Sequence, residues 1–180
     1  MKMKILRFSG IITLLIYSLF TLLSITYNPW FSVMHNALSD LGATKANEPW
    51  IYNYGLILSA PFLLSFSLHL THQAKNKTET VGGAFLSISS LFLAFIGIFH
   101  SGTEPHGFVS TYFFLQFFLG MFIWGIGNGG FMRKICCLLF ISSITGAFFP
   151  WPSTALLEIY EIAIIATFVV LLYAENFHKN

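Results

Sequence analysis

Six blocks of apolar residues, each about twenty long and parted by short polar breaks, constrain this chain more than any other feature. They run approximately over 8–27, 51–71, 80–99, 107–128, 135–149 and 155–174. A helix of about twenty residues rises roughly 30 Å, the thickness of bilayer hydrocarbon. Each block is long enough to cross, the fifth only just. Composition agrees: of 180 residues 56% are hydrophobic and 9% charged, and the mean hydropathy is +0.73, whereas about 25% of an average soluble domain is charged. Too few polar side chains are present to clothe a globule in water. A soluble enzyme is excluded. The expected fold is all-α, a single integral-membrane domain over residues 1–180 built as a bundle of six transmembrane helices.

The breaks carry helix-ending punctuation in Asn28-Pro29, Glu48-Pro49, Glu104-Pro105 and Pro150-Trp151-Pro152, because a proline disfavours helix in the residue before it. The first block follows Lys2, Lys4 and Arg7. Its apolar stretch exceeds the roughly 7 to 15 residues of a signal-peptide core and no Ala-x-Ala site follows, so it reads as a retained anchor. Counted on alternate sides, Lys2, Lys4, Arg7, Lys75, Lys77, Arg133, Lys134 and Lys179 share one face, and Lys45 stands alone on the other. The positive-inside rule then places both termini in the cytoplasm and the loop from Asn28 to Trp50 outside a plasma (cell) membrane. Trp30, Trp50 and Trp151 map to the outer interface, as an aromatic belt should. Asn76-Lys77-Thr78 matches the glycosylation pattern but falls on the inner side, where it would not be used.

A formal net charge of +2 with no run of like charges offers nothing to nucleic acid, and membrane lipid is the expected partner. Cys136 and Cys137 are adjacent, cannot bridge each other, and read as small hydrophobes.

Ionisable groups within or beside hydrocarbon are costly, which makes them the candidates for function. Nine polar residues gather on the outer side: His35, Asn36, Ser39 and Asp40 in the first loop, His100, Glu104 and His106 between spans three and four, and Glu158 and Glu161 in span six. The segment Met34 to Gly42 is predicted as a short helix ended by glycine, with His35 and Ser39, and Asn36 and Asp40, four apart on shared faces. Asn36, Ser39 and Glu104 are candidate substrate-binding residues, although Ser and Asp in such a loop commonly only fix backbone amides. His100 and His106 flank the tight turn from Ser101 to Pro105. With His35 or Asp40 they supply the N and O donors that zinc accepts, and an open position would let bound water ionise near neutral pH. The spacing is not a known zinc signature, and interfacial histidines that merely hydrogen-bond are commoner.

Glu158 and Glu161 carry the stronger signal. With Ser153 as the N-cap of span six, they lie about 8 Å and about 12 Å along the axis and face the same way. A carboxylate at span centre costs roughly 2.5 to 3.5 kcal/mol, less near the interface. A shared proton, a histidine from a neighbouring span, a metal or a water-filled cavity would offset that cost, and so would bonds to neighbouring helices in a purely structural role.

Other features read simply. His69 and His72, near Lys75 and Lys77, are headgroup contacts at the inner end; a haem between His69 and His100 fails on depth. Gly120, Gly125, Gly127, Gly129 and Gly130 point to close helix packing rather than a phosphate loop, since no strand precedes them. The 21 Phe are lipid-facing bulk and packing.

The run His35-Asn36-Ala37-Leu38-Ser39-Asp40-Leu41-Gly42-Ala43, with Tyr52-Asn53-Tyr54-Gly55-Leu56-Ile57-Leu58-Ser59 opening span two and Gly97-Ile98-Phe99 before His106, resembles the six-span prokaryotic membrane family called domain of unknown function 998. The likeness covers nearly the whole chain and is most specific in Ser39-Asp40-Leu41-Gly42. At a greater distance the chain is similar to the eukaryotic membrane proteins that include the GPI-anchor lipid-remodelling factor and the damage-regulated autophagy modulators. Those carry an Ile-Ser-Asp-Thr-Gly-like run and a histidine before a later span. Ser39, Asp40, Gly42 and His106 match, and Leu41 stands where the eukaryotic run has threonine. These resemblances imply six spans and a link to lipid chemistry.

The leading expectation is a multi-pass protein whose outer polar pocket binds or modifies a lipid or lipid-linked substrate. In the enzyme form, Asp40, His106, Glu158 and Glu161 are the catalytic candidates, with either glutamate as general base and His35, His100 and His106 holding metal or relaying protons. A proton- or cation-coupled small-solute transporter and an accessory subunit of a membrane complex are the alternatives. Six short spans without an inverted repeat argue against transport.

Overall fold

An isolated apolar segment in hydrocarbon must satisfy its own backbone, and it does so by coiling into a helix. The computed structural model describes residue 6 and residues 8–178, those beyond 174 by backbone alone. Six helices are long and apolar enough to cross a membrane: α1 (Ser9–Tyr27), α2 (Pro49–Gln73), α3 (Lys77–Ile98), α4 (His106–Asn128), α5 (Gly130–Phe148) and α6 (Thr154–His178). One 3-10 turn, Leu38–Gly42, stands in the loop between α1 and α2, and there is no strand among the described residues. The 28–48, 99–105 and 149–153 connections share one end of the bundle, the loop end. Of the basic residues behind the expected orientation, Lys2, Lys4, Arg7 and Lys179 lie outside the described residues.

The short fifth block gains a full helix because α5 begins at Gly130, ahead of the expected Ile135. Gly129 and Gly130 have φ of +78° and +50°, a conformation open to residues without a Cβ, and this reverses the chain directly from α4 into α5. These two glycines therefore serve a turn. The packing role expected of the whole set belongs to Gly120, Gly125 and Gly127: a Cβ on Gly120 would stand 2.8 Å from Leu86 Cγ, and one on Gly125 2.2 Å from Cys136 Cβ.

α3 packs most extensively, against α2 and α4, and α6 closes the bundle against α1, α4 and α5. Lipid tails are as apolar as leucine, so close approach and dispersion hold such helices together. α1 is accordingly inside out by the standards of a soluble protein. It buries Ser9, Gly10, Thr13, Thr21 and Ser24 and leaves Leu15, Leu19 and Leu22 63 to 64% exposed toward lipid. At the centre the fully buried Phe168 meets Phe66, Phe117 and Trp124 edge to face, with centroids 6.5, 6.0 and 6.1 Å apart. Each such contact is worth about 0.5–1.5 kcal/mol beyond its buried area.

Candidate functional site

The first loop is closed at its base by Asn28, which is 1% exposed. Its Nδ2 donates to the carbonyls of Ser24 (2.8 Å) and Asn47 (3.0 Å), and its Oδ1 accepts the Asn47 N–H (2.7 Å) and Trp30 Nε1 (2.9 Å). The loop is then latched across to α6 at three points. Ser153 Oγ donates to the Val33 carbonyl, the Asn36 carbonyl accepts the Ala155 N–H at 2.9 Å, and Glu158 Oε2 accepts the Leu38 N–H at 2.6 Å. Ser153 Oγ also accepts the Leu156 N–H at 3.2 Å, the N-cap role anticipated for it.

The helix expected from Met34 to Gly42 is shorter: the 3-10 turn starts at Leu38, so His35 and Asn36 precede it and the shared faces do not form. The side chains themselves compete for the amides a longer helix would need. Asn36 Oδ1 turns back to the Ser32 N–H (2.8 Å), and Asp40 Oδ2 to the Ala37 N–H (2.9 Å). Gly42 ends the turn without a left-handed backbone. It is needed instead for a close approach, since Asn53 Nδ2 donates to its carbonyl at 2.9 Å and a Cβ there would stand 2.1 Å from Asn53 Oδ1.

His35, His100 and His106 do not form a metal-holding group. His35 is exposed, His100 Nδ1 lies 3.0 Å from the Ser101 carbonyl, and His106 Nδ1 lies 2.8 Å from the Phe99 carbonyl. Glu104 is exposed. Among the described residues no group of three or more His, Cys, Asp or Glu side chains is placed to hold a metal ion. The link between the first loop and the 99–105 turn comes from Ser101, whose Oγ is 3.4 Å from Asp40 Oδ1. At the opposite end His69 is 5% exposed, buried in the bundle rather than reaching headgroups, whereas His72 is exposed.

Ser39, Asp40, Glu158 and Glu161 are the candidates that do converge. Asp40, within the 3-10 turn, and Glu158, which the turn's backbone holds, feel each other as like charges. Behind the turn, a narrow apolar cavity of about 70 Å³ runs down the bundle from Ser39, Tyr52 and Glu158 to Gly10 and Val169. Along α6 alone, the step from Glu158 to Val169 is about 16 Å at the rise of a helix. A wider chamber of about 470 Å³ lies between α4, α5 and α6, bordered by Ser110, Thr111, Ser143, Glu158 and Glu161. Ser110, Phe114 and Glu158 line both spaces. Leu115 and Ile144, each 45% exposed, mark the lipid-facing rim of the chamber. Glu161 is 8% exposed and makes no hydrogen bond or ion pair among the described residues.

Tyr17, Tyr52 and Ser110 line the central cavity without having been singled out as site residues. Tyr17 and Tyr52 meet edge to face with centroids 6.4 Å apart. A signal for Tyr17 existed: Gly10, Thr13 and Tyr17 recur every three or four residues on α1, a small and polar stripe that a helix lays along one face.

No curated protein and no solved structure gives a significant match to this chain. A family model described as "Protein of unknown function (DUF998)" matches residues 11–175, nearly the whole chain and all six spans, and the chain therefore belongs to that family.

Proposed function

We propose that this multi-pass membrane protein binds an amphiphilic lipid or lipid-linked substrate from the outer leaflet. The observation that carries the reading is the position of Glu158, on the wall common to a narrow apolar cavity and a wider, laterally placed chamber. A polar group at the mouth of an apolar slot is the complement of a molecule with a polar head and a thin chain. If the bound lipid is chemically modified, Glu161 is the carboxylate available as general base. Glu158 Oε2 is committed to Leu38 and the Asp40 carboxylate to Ala37 and Ser101. The unpaired state of Glu161 also favours, as a second reading, proton- or cation-coupled transport.

Native mass spectrometry of the intact protein tests the first reading. The wild type should retain lipid, and Ile162→Trp, which fills the central cavity, should lose it. Equal lipid retention by both, or none by the wild type, would refute it. Under transport, vesicles containing the protein should acidify or alkalinise with a solute gradient, and Glu161→Gln should abolish the signal. The orientation is tested separately: Lys45→Cys should react with a membrane-impermeant maleimide added from outside, and reaction only after the cells are opened would invert it.

A further inference from the structure

We propose that the chamber between α4, α5 and α6 is a site for the ammonium group of an amphiphilic amine, with Glu161 as its counter-charge. This rests on the lipid reading above and names the headgroup chemistry. Ser110 Oγ spends its proton on the His106 carbonyl at 2.8 Å, and Ser143 Oγ on the Phe140 carbonyl at 2.8 Å. Both hydroxyls therefore turn lone pairs, not protons, toward a ligand. The Glu158 carboxylate is held by the backbone of the 3-10 turn, accepting from the Leu38 N–H and interacting with that of Ser39. Glu161 is more than nine-tenths buried, lines the chamber and has both oxygens unpartnered. The charge acting on it is that of Glu158, of its own sign.

No lysine, arginine or histidine lines either cavity among the described residues. Lys45, the one basic residue of the first loop, is exposed. A wall with two carboxylates and no cation repels a phosphate or sulfate head, and the Thr111 and Thr154 hydroxyls on it can donate or accept. It is complementary to a group that brings both donors and positive charge, and an ammonium brings three N–H donors on one charge. The exposed Leu115 and Ile144 at the rim give such a head a lateral entry from the bilayer, with its chain left among lipid or drawn past Phe114 into the central cavity.

The test uses the full-length protein in nanodiscs of phosphatidylcholine, whose zwitterionic surface does not itself concentrate cations. A photoreactive dodecylamine is crosslinked and the labelled peptides are mapped. Labelling should fall within residues 110–118, 140–147 and 154–161. Excess dodecylamine should compete it away, with dodecanol and dodecyl phosphate at least tenfold weaker. Glu161→Gln should lose about tenfold of the competable labelling, and Glu48→Gln, an exposed carboxylate outside the site, should lose none. Equal competition by dodecanol would overturn the ammonium assignment while leaving a lipid site. Stronger competition by dodecyl maltoside would overturn it in favour of a polyol head. Failure of every probe to label these segments would overturn the lipid reading as well. The competition series in the wild type decides the headgroup whatever the fate of the variant.

Discussion

Two buried glutamates, one at each end of the bundle, set the terms for reading this molecule. Glu79, 2% exposed, sits in the first turn of α3 and is fully employed. Its Oε2 accepts the Lys75 N–H at 2.6 Å, and its own N–H donates to Asn76 Oδ1 at 2.9 Å. Asn76 in turn donates to the Gly127 carbonyl at 3.0 Å, so the residue of the apparent glycosylation pattern is a helix cap tied to the end of α4. Glu161, 8% exposed, has no such partners and borders a chamber. Burial of a carboxylate is common to both, and only its partners separate a structural group from a candidate for function. The same contrast runs through the packing. Near Glu79 the helices touch at backbone distance, whereas the loop end is held by latches and borders a chamber.

The largest effect should come from breaking the tight end. A Cβ on Gly82 would stand 2.5 Å from the Trp124 backbone nitrogen, which cannot swing aside as a side chain could. Gly82→Val should therefore cost about 1–3 kcal/mol or more through overpacking, read as a lowered melting temperature. Comparable bulk at the loop end, as in Ser110→Val, should cost less, because the chamber has room for it. Equal losses would remove the packing contrast.

Next, Glu79→Ala should leave the Lys75 amide unsatisfied and destabilise by about 1–3 kcal/mol. Glu158→Ala should have a smaller and local effect, because the loop keeps its attachments through Ser153 and Ala155. Amides around Leu38 should exchange hydrogen about tenfold faster, the equivalent of about 1.4 kcal/mol of local opening. Glu158→Gln keeps an acceptor oxygen and should spare the latch. Unchanged exchange in the alanine variant would mean that Glu158 does not hold the turn.

What the sequence made legible follows from which forces are local. The six spans and the Ser153 cap rest on hydropathy and helix ends, readable within a few residues, and the cost of charge in hydrocarbon is what makes Glu158 and Glu161 candidates. The pairing of Glu158 with the Leu38 amide joins positions 120 apart in sequence, and a backbone donor leaves no mark in residue identity. The early start of α5 depended on two glycines that could serve packing or a turn, and φ alone decided between them. The histidines looked like a set because they share a face, yet the rings of His100 and His106 turn to nearby carbonyls. The chambers are properties of packing between helices, to which hydropathy is blind.

On the proposal made here for the chamber, Glu161 is kept against the interest of stability because it serves a ligand. Replacing it by leucine removes an unpartnered buried carboxylate and adds apolar contact, so Glu161→Leu should melt at or above the wild-type temperature. The most direct test measures melting temperature and retained lipid on the same nanodisc sample. A stable variant that has lost the wild type's bound amphiphile is the predicted result. A fall in melting temperature as large as that of Glu79→Ala, with the lipid complement unchanged, would contradict it.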